Sequence, residues 1–296
     1  MSSYGWSILT GTLMGFLARV FMLRSDYRRY PGYPHGQVIH LSLGFVAAVM
    51  GAVAVPALAA REFTAVTFLA LAAQQFREVR SMERESLGSL EERQLVPRGM
   101  EYVEGIARVF EARSYLTILV ALAASLASFL WGPAAGLAAG ALAILAVALL
   151  MQGETVGQIA EVLPARPYFE GPVLKVEGVP LLNVGLQSSR EKLLREGMAC
   201  VVRPRDDNAR LTLHDVGQRQ AILHTAATLL GTKAEVGEPE WTPICRKHID
   251  EGYLVVFILA NEPDEECLLE AVRRTPVLES AQRRPLATRV GRAAAD

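Results

Sequence analysis

The sequence predicts an α-helical membrane domain of about five transmembrane helices followed by a small cytosolic α/β domain. Three observations carry this. Residues 36–60 and 114–153 contain no Asp, Glu, Lys or Arg, and about 20 helical residues cross a bilayer core of about 30 Å. Hydrophobic residues make up 51% of the 296-residue chain against 21% charged, with a mean hydropathy of +0.23, and the excess is concentrated before residue 153. Beyond it, β-type runs alternate with helical patterns. With 30 Lys+Arg against 31 Asp+Glu there is no polyelectrolyte character, so no nucleic-acid partner is expected. Cys200, Cys245 and Cys267 have no CxxC spacing and form an odd set. They read as free buried thiols in a reducing compartment rather than a disulfide framework or a zinc site.

The membrane domain is read as residues 1–163, with spans at about 4–23, 37–60, 62–76, 115–131 and 134–152. The first carries Arg19, expected to snorkel to the interface; with no basic stretch before it and no cleavage pattern after it, it is read as retained. Gly132-Pro133 marks a turn between the last two spans. The stretch 62–76 is short, and topology decides it. Basic residues gather at Arg24, Arg28 and Arg29 and again from Arg77 to Arg113, so both segments should be cytoplasmic, with an even number of spans between them. The N-terminus is then outside and the C-terminal domain in the cytoplasm of a multi-pass cell-membrane protein.

On the cytoplasmic face, residues 25–36 read as an interfacial turn with an aromatic belt, and Arg28, Arg29 and His35 are candidates for a headgroup or partner contact. An amphipathic helix at about 77–95 should pair Arg80 with Glu83. A second, at about 101–113, places Val103, Ile106 and Phe110 on one stripe and Glu101, Glu104, Arg108 and Glu111 on another. Tyr102, Glu104, Gly105 and Arg108 are its interface candidates, with Gly105 expected to mark a close contact because glycine is costly inside a helix.

The cytosolic domain is read as residues 164–280, with a disordered tail at 281–296. Val156, Ile159, Ala160 and Leu163 fall on one face of a connector helix. VLKVEGVPLLNV reads as a hairpin around Glu177-Gly178, and Ser188 to Glu191 as a capping box, with Gly197 ending that helix. ACVVRP is a strand, and a helix from about Thr212 ends at Gly231. YLVVFILAN is an unbroken apolar run, hence a strand buried on both faces. A helix after Pro263 has acids first and Arg273 and Arg274 last, matching its dipole.

Residues 203–224 form the densest polar cluster, at a strand end leading into a helix, where α/β sheets bind ligands. The ligand-binding reading is a small anion held by Arg203, Arg205, Arg210 or Arg219, with Gln218 and Gln220 as donors. The competing reading is a polar loop in which Asp206 and Asp207 are turn residues and Asp215 pairs with Arg219. Were the chain an enzyme, Asp206, Asp207, His214 and Asp215 would be the acid–base set. His214 and His224, ten residues apart, sit about 80° apart around a helix and do not share a metal ion. No metal or cofactor is expected.

Several segments resemble one family. Tyr102-Val103-Glu104-Gly105-Ile106-Ala107 is similar to the hexapeptide that names the YIEGIA family, with valine for isoleucine at 103. RSDYRRYPGYPHG, LALAAQQFREVRSMERESL and DDNARLTLHDVGQRQAILH look like the same family in the same order. The resemblance implies an integral membrane protein of endospore-forming bacteria with a role in sporulation and spore envelope assembly; it supplies no reaction and no catalytic residues. The expected function is therefore a membrane scaffold or regulator in a lipid bilayer, with a protein partner or a small anionic ligand at its cytosolic domain. The alternative is a membrane-bound hydrolase or protease. A coupled transporter fits less well, because His40 is nearly alone among ionisable residues in the spans.

Overall fold

The computed structural model describes residues 3–26, 34–91, 94–150, 153–235, 238–283 and 287–293. The chain divides into a unit of Met1–Ser86 with Ile106–Gln152 and a unit of Leu87–Gly105 with Gly153–Asp296. Neither unit is contiguous in sequence. Residues 87–105 belong with the C-terminal unit, although the sequence pattern alone assigns them to the membrane part.

Five helices build the first unit: α1 (Ser3–Asp26), α2 (Pro34–Ala59), α3 (Phe63–Glu91), α4 (Met100–Trp131) and α5 (Pro133–Leu150). Among the described residues, Tyr4–Leu23, Gln37–Ala59 and Met100–Trp131 are long and apolar enough to cross a membrane, and Pro133–Leu149 is a shorter apolar helix. This is three rather than about five. Of the expected span 62–76, residues 63–76 fall in α3, whose 29 residues include the charged stretch from Arg77 on. The amphipathic stretch and the span expected at 115–131 are one continuous helix, α4. At the predicted Gly132-Pro133 turn, Gly132 has φ +94° and Pro133 opens α5, where its missing N–H costs nothing.

Small residues let these helices approach closely. A Cβ on Gly51 would overlap the Ile118 carbonyl, and one on Gly15 would lie 2.7 Å from Ala121 Cβ. Gly136 packs on Ser128 and Gly140 on Met14, so these two glycines of α5 make their close contacts inside the chain. Ser7 Oγ donates to the Ser125 carbonyl and Ser125 Oγ to that of Ala52, each at 2.8 Å. Outward, Leu9, Leu13, Leu17, Leu142, Leu145 and Leu149 are exposed, an apolar exterior of the kind lipid tails solvate.

Arg19 does not snorkel. It is fully buried, its Nη2 is 2.8 Å from His40 Nδ1, and its guanidinium lies 5.0 Å above the Phe110 ring. Gly44 makes room for it, since a Cβ there would overlap the Arg19 side chain. His40 Nε2 is 3.9 Å from Glu83. Arg80, expected to pair with Glu83, reaches Glu111 at 3.1 Å. This tertiary ion pair joins α3 to α4.

The C-terminal unit contains α6 (Val156–Ile159), β1 (Ala160–Ala165), β2 (Tyr168–Glu170), β3 (Val173–Val176), β4 (Val179–Asn183), α7 (Gln187–Glu196) and β5 (Gly197–Pro204). There follow α8 (Asp207–His214), α9 (Val216–Leu230), β6 (Ala234–Glu235), β7 (Glu238–Pro239), β8 (Ile244–Lys247), β9 (Leu254–Leu259), α10 (Glu265–Arg274) and α11 (Arg289–Ala293). The main sheet runs β1-β5-β9-β8, antiparallel throughout, with a second antiparallel sheet β2-β3-β4 and a β6-β7 pair. As predicted, β9 is buried on both faces at the sheet centre. Leu254, Val256 and Ile258 pack with Leu213, Ile222, Leu230, Leu268 and Val272 from the helices. Val255 and Phe257 pack with Leu174, Val176, Leu181 and Leu193 on the other side.

The predicted hairpin is β3–β4, turning at Glu177 (φ +48°) and Gly178 (φ +79°), the two left-handed residues a type I′ turn requires. Four local expectations change. The connector helix lasts one turn before Ala160 enters β1, because alternate burial of Ala160 and Val162 suits a strand as well as the apolar spacing suits a helix. The Ser188 capping box does not form; α7 has Leu186 as N-cap with no side-chain bond. The helix expected from Thr212 is two helices, α8 and α9, with Asp215 between them. The tail includes α11 within 287–293, the later of its described residues.

Cys200 and Cys245 are buried, and Cys267 half-buried. Both buried residues are opposite Val256, on its two flanking strands. Burial pushes the Cys245 thiol up to about 12 and that of Cys200 upward as well, as an unreactive core cysteine requires.

Candidate functional site

The cluster at 203–224 disperses into separate structural contacts. Asp206 caps α8 by accepting from Ala209 N at 2.7 Å, and Asp215 caps α9 by accepting from Gln218 N at 3.2 Å. Asp207 pairs with Arg210 at 3.0 Å, and His214 Nε2 contacts the Gly252 carbonyl at 2.8 Å. The proposed acid–base set is thus spent on helix caps and loop ties. Arg203 lies 5.9 Å over the Tyr253 ring, whereas Arg205 donates to the Gly157 carbonyl at 3.3 Å. Arg219 lies near Cys245, whose thiol its charge favours in the ionised form. Buried Gln218 donates to the Pro276 carbonyl at 3.1 Å and accepts from Leu278 N at 2.8 Å. Arg205 and Asp206 do share a polar cleft of about 340 Å³ with Asn208, Thr212, Gln282 and Arg283.

The residues that converge lie elsewhere, where the segment 94–101 is held on α9. Gln220, His224 and Thr228, spaced four apart, present one helical face. Gln220 Nε2 donates to the Pro97 carbonyl at 2.6 Å. His224 Nδ1 is 2.7 Å from the Val96 carbonyl and its Nε2 is 3.1 Å from Arg98 Nε. The carbonyl can only accept and the guanidinium can only donate, so His224 is the neutral Nδ1–H tautomer. Glu91 accepts the Arg98 backbone N–H and sits 3.8 Å from its Nε. Arg98, His224 and Glu91 are all more than nine-tenths buried. Gly99 has φ +90°, and a Cβ there would lie 2.9 Å from Gln220 Cγ. At the start of α4, the Glu101 carboxyl meets the α9 N-terminus at Asp215 and Gly217.

Of the expected interface residues, Tyr102 is buried, Glu104 and Gly105 are half-buried and Arg108 is exposed. The apolar stripe of Val103, Ile106 and Phe110 is buried as expected. Among the described residues, no atom outside its own helix backbone and chain neighbours lies within 4 Å of a Cβ on Gly105, so the glycine makes no tight contact with them. Arg28 and Arg29 lie outside the described residues, and of His35 only the backbone, in α2, is described. Sequence reasoning missed the Arg98–His224 pair because its members are 126 positions apart. The available signal was a histidine within the mostly apolar stretch AILHTAATLL.

Burial holds the His224 ring below the ordinary value of 6.5, with the Val96 carbonyl opposing and Arg98 reinforcing the shift. Between that lowered value and 6.5 the unfolded chain binds more protons, so stability rises with pH in this window. The contribution is complete above 6.5 and is lost as the medium is acidified below it. We expect the melting midpoint of the C-terminal unit to fall from pH 7.5 to pH 5.5, and His224→Gln to show a smaller fall over the same range. Equal acid sensitivity in the two proteins would remove His224 as the cause.

Among known proteins, the chain is 40% identical over 285 residues to the uncharacterized protein YphB of Bacillus subtilis (strain 168), covering 96% of each chain. No solved structure matches it. The family model described as YIEGIA protein matches residues 7–288, nearly the whole chain, and the protein belongs to the YIEGIA family.

Proposed function

We propose that this chain is an integral membrane scaffold or regulatory protein acting in sporulation or spore envelope assembly. In this reading it crosses the membrane about five times, with α3 and α5 completing the set and the N-terminus outside. The C-terminal unit then lies on the cytoplasmic side and binds a protein partner or a small anionic ligand. The basic residues on both sides of α2 and α3 support the orientation, and the family supports the sporulation setting.

One observation carries the regulatory reading. Residues 94–99 are fixed on α9 through Pro97, Val96 and the buried Arg98–His224 pair, and they join α3 to α4, two helices that continue into the helical unit. A change of state at α9 thereby has two helices through which to act. The hydrolase alternative draws less support, because Asp206, Asp207, His214 and Asp215 are committed to caps, an ion pair and a carbonyl contact.

The test is affinity capture of the full chain from sporulating cells. Joint replacement of Glu104 and Arg108 by alanine is expected to lower partner retention several-fold while membrane insertion is unchanged. Undiminished retention would reject the scaffold reading.

A further inference from the structure

A cleft of about 420 Å³ opens between residues 94–98 and the C-terminal half of α9, within the size range of small-molecule sites. Leu95 and Ala227 give it apolar walls, while Arg98, His224, Thr228, Thr232 and Asn261 give it polar groups. Two polar atoms on these residues are buried with no hydrogen-bond partner among the described residues, Arg98 Nη1 and Thr232 Oγ1. An unsatisfied buried donor is costly, and the cost is heavier on a charged group. The Arg98 guanidinium uses its Nε edge on His224 and faces Glu91 there at 3.8 Å, which leaves the Nη1 edge without an acceptor.

We propose that this cleft binds a small molecule carrying one carboxylate on an apolar body. The charge balance selects the class. Arg98 brings one positive charge, Glu91 one negative, and His224 is neutral, so a monoanion leaves one net negative charge in a largely buried place where a dianionic phosphate would leave two. A single carboxylate takes Nη1 after a side-chain rotation and accepts from Thr232 Oγ1, while Glu91 keeps the Arg98 backbone N–H; the ligand's apolar part lies against Leu95 and Ala227. Such a ligand bridges the 94–98 segment to α9, and so strengthens the attachment on which the regulatory reading depends. The assignment rests on the ligand-binding half of the proposed function.

The experiment is thermal unfolding of the full-length protein in detergent micelles with benzoate, isovalerate, benzamide or inorganic phosphate at matched ionic strength. The two carboxylates are expected to raise the midpoint by about 3–6 °C at ten times Kd, and benzamide and phosphate to leave it unchanged. The shift should vanish in Arg98→Gln. It should also vanish in Thr228→Phe, which fills the cleft from an exposed position and keeps Arg98 in place. No shift with either carboxylate, an equal shift with benzamide or phosphate, or a shift surviving in Thr228→Phe would overturn the assignment. Partner capture is measured separately, so the scaffold reading can fail while this one stands, and the reverse.

Discussion

Arg19→Ala is expected to destabilise the helical unit by about 2–4 kcal/mol, the range for removing a large buried side chain together with its hydrogen bonds. The loss has three parts: the contact with His40, the stacking over Phe110 and the volume that fills the notch at Gly44. Arg19→Met separates them. Methionine keeps most of the volume and removes the charge, and a buried charge replaced by a well-packed apolar group is often close to neutral. Unfolding midpoints in detergent should therefore rank wild type close to R19M, with R19A well below. If R19M falls as far as R19A, the polar contacts outweigh the packing, and the Arg19–His40–Glu83 series becomes a functional candidate in its own right.

Gln218→Ala is expected to cost the C-terminal unit about 2–4 kcal/mol, since it strands two buried backbone groups, the Pro276 carbonyl and the Leu278 N–H, at about 1–3 kcal/mol each before relaxation. Limited proteolysis should show earlier cleavage after residue 275, and the melting midpoint should fall. This separates the two roles available to Gln218. A ligand donor would lose binding with little change in stability, whereas a tether loses stability with no ligand present.

Much of the C-terminal unit was legible because single stretches carried their own instructions. The unbroken apolar run of β9, short and rich in β-branched residues, suits a strand buried on both faces, and Glu177-Gly178 suits a tight hairpin turn. Asp264 and the acids after it fixed the start of α10. Legibility failed where two periods fit the same residues, as in 156–163, which satisfies a helical stripe and a strand alternation together. It failed again for Arg19, because a cation in a span looks the same in sequence whether it escapes to the interface or finds a histidine on the next helix. The polar cluster at 203–224 is ambiguous for a related reason. Asp and Gln are the residues of caps and tethers as well as of ligand sites, and only their partners tell them apart. The α9 attachment was invisible because its two halves are joined by folding and by no local pattern.

That the C-terminal unit draws residues 87–105 from between two helices of the other unit makes it a poor candidate for transplantation. A gene fragment beginning at residue 153 would encode the nine described strands and leave the Gln220–His224–Thr228 face of α9 bare, with His224 deprived of its Val96 and Arg98 contacts. Recombination could move this fold between proteins only by carrying the α3–α4 junction with it, which ties the inheritance of the C-terminal unit to that of α3 and α4.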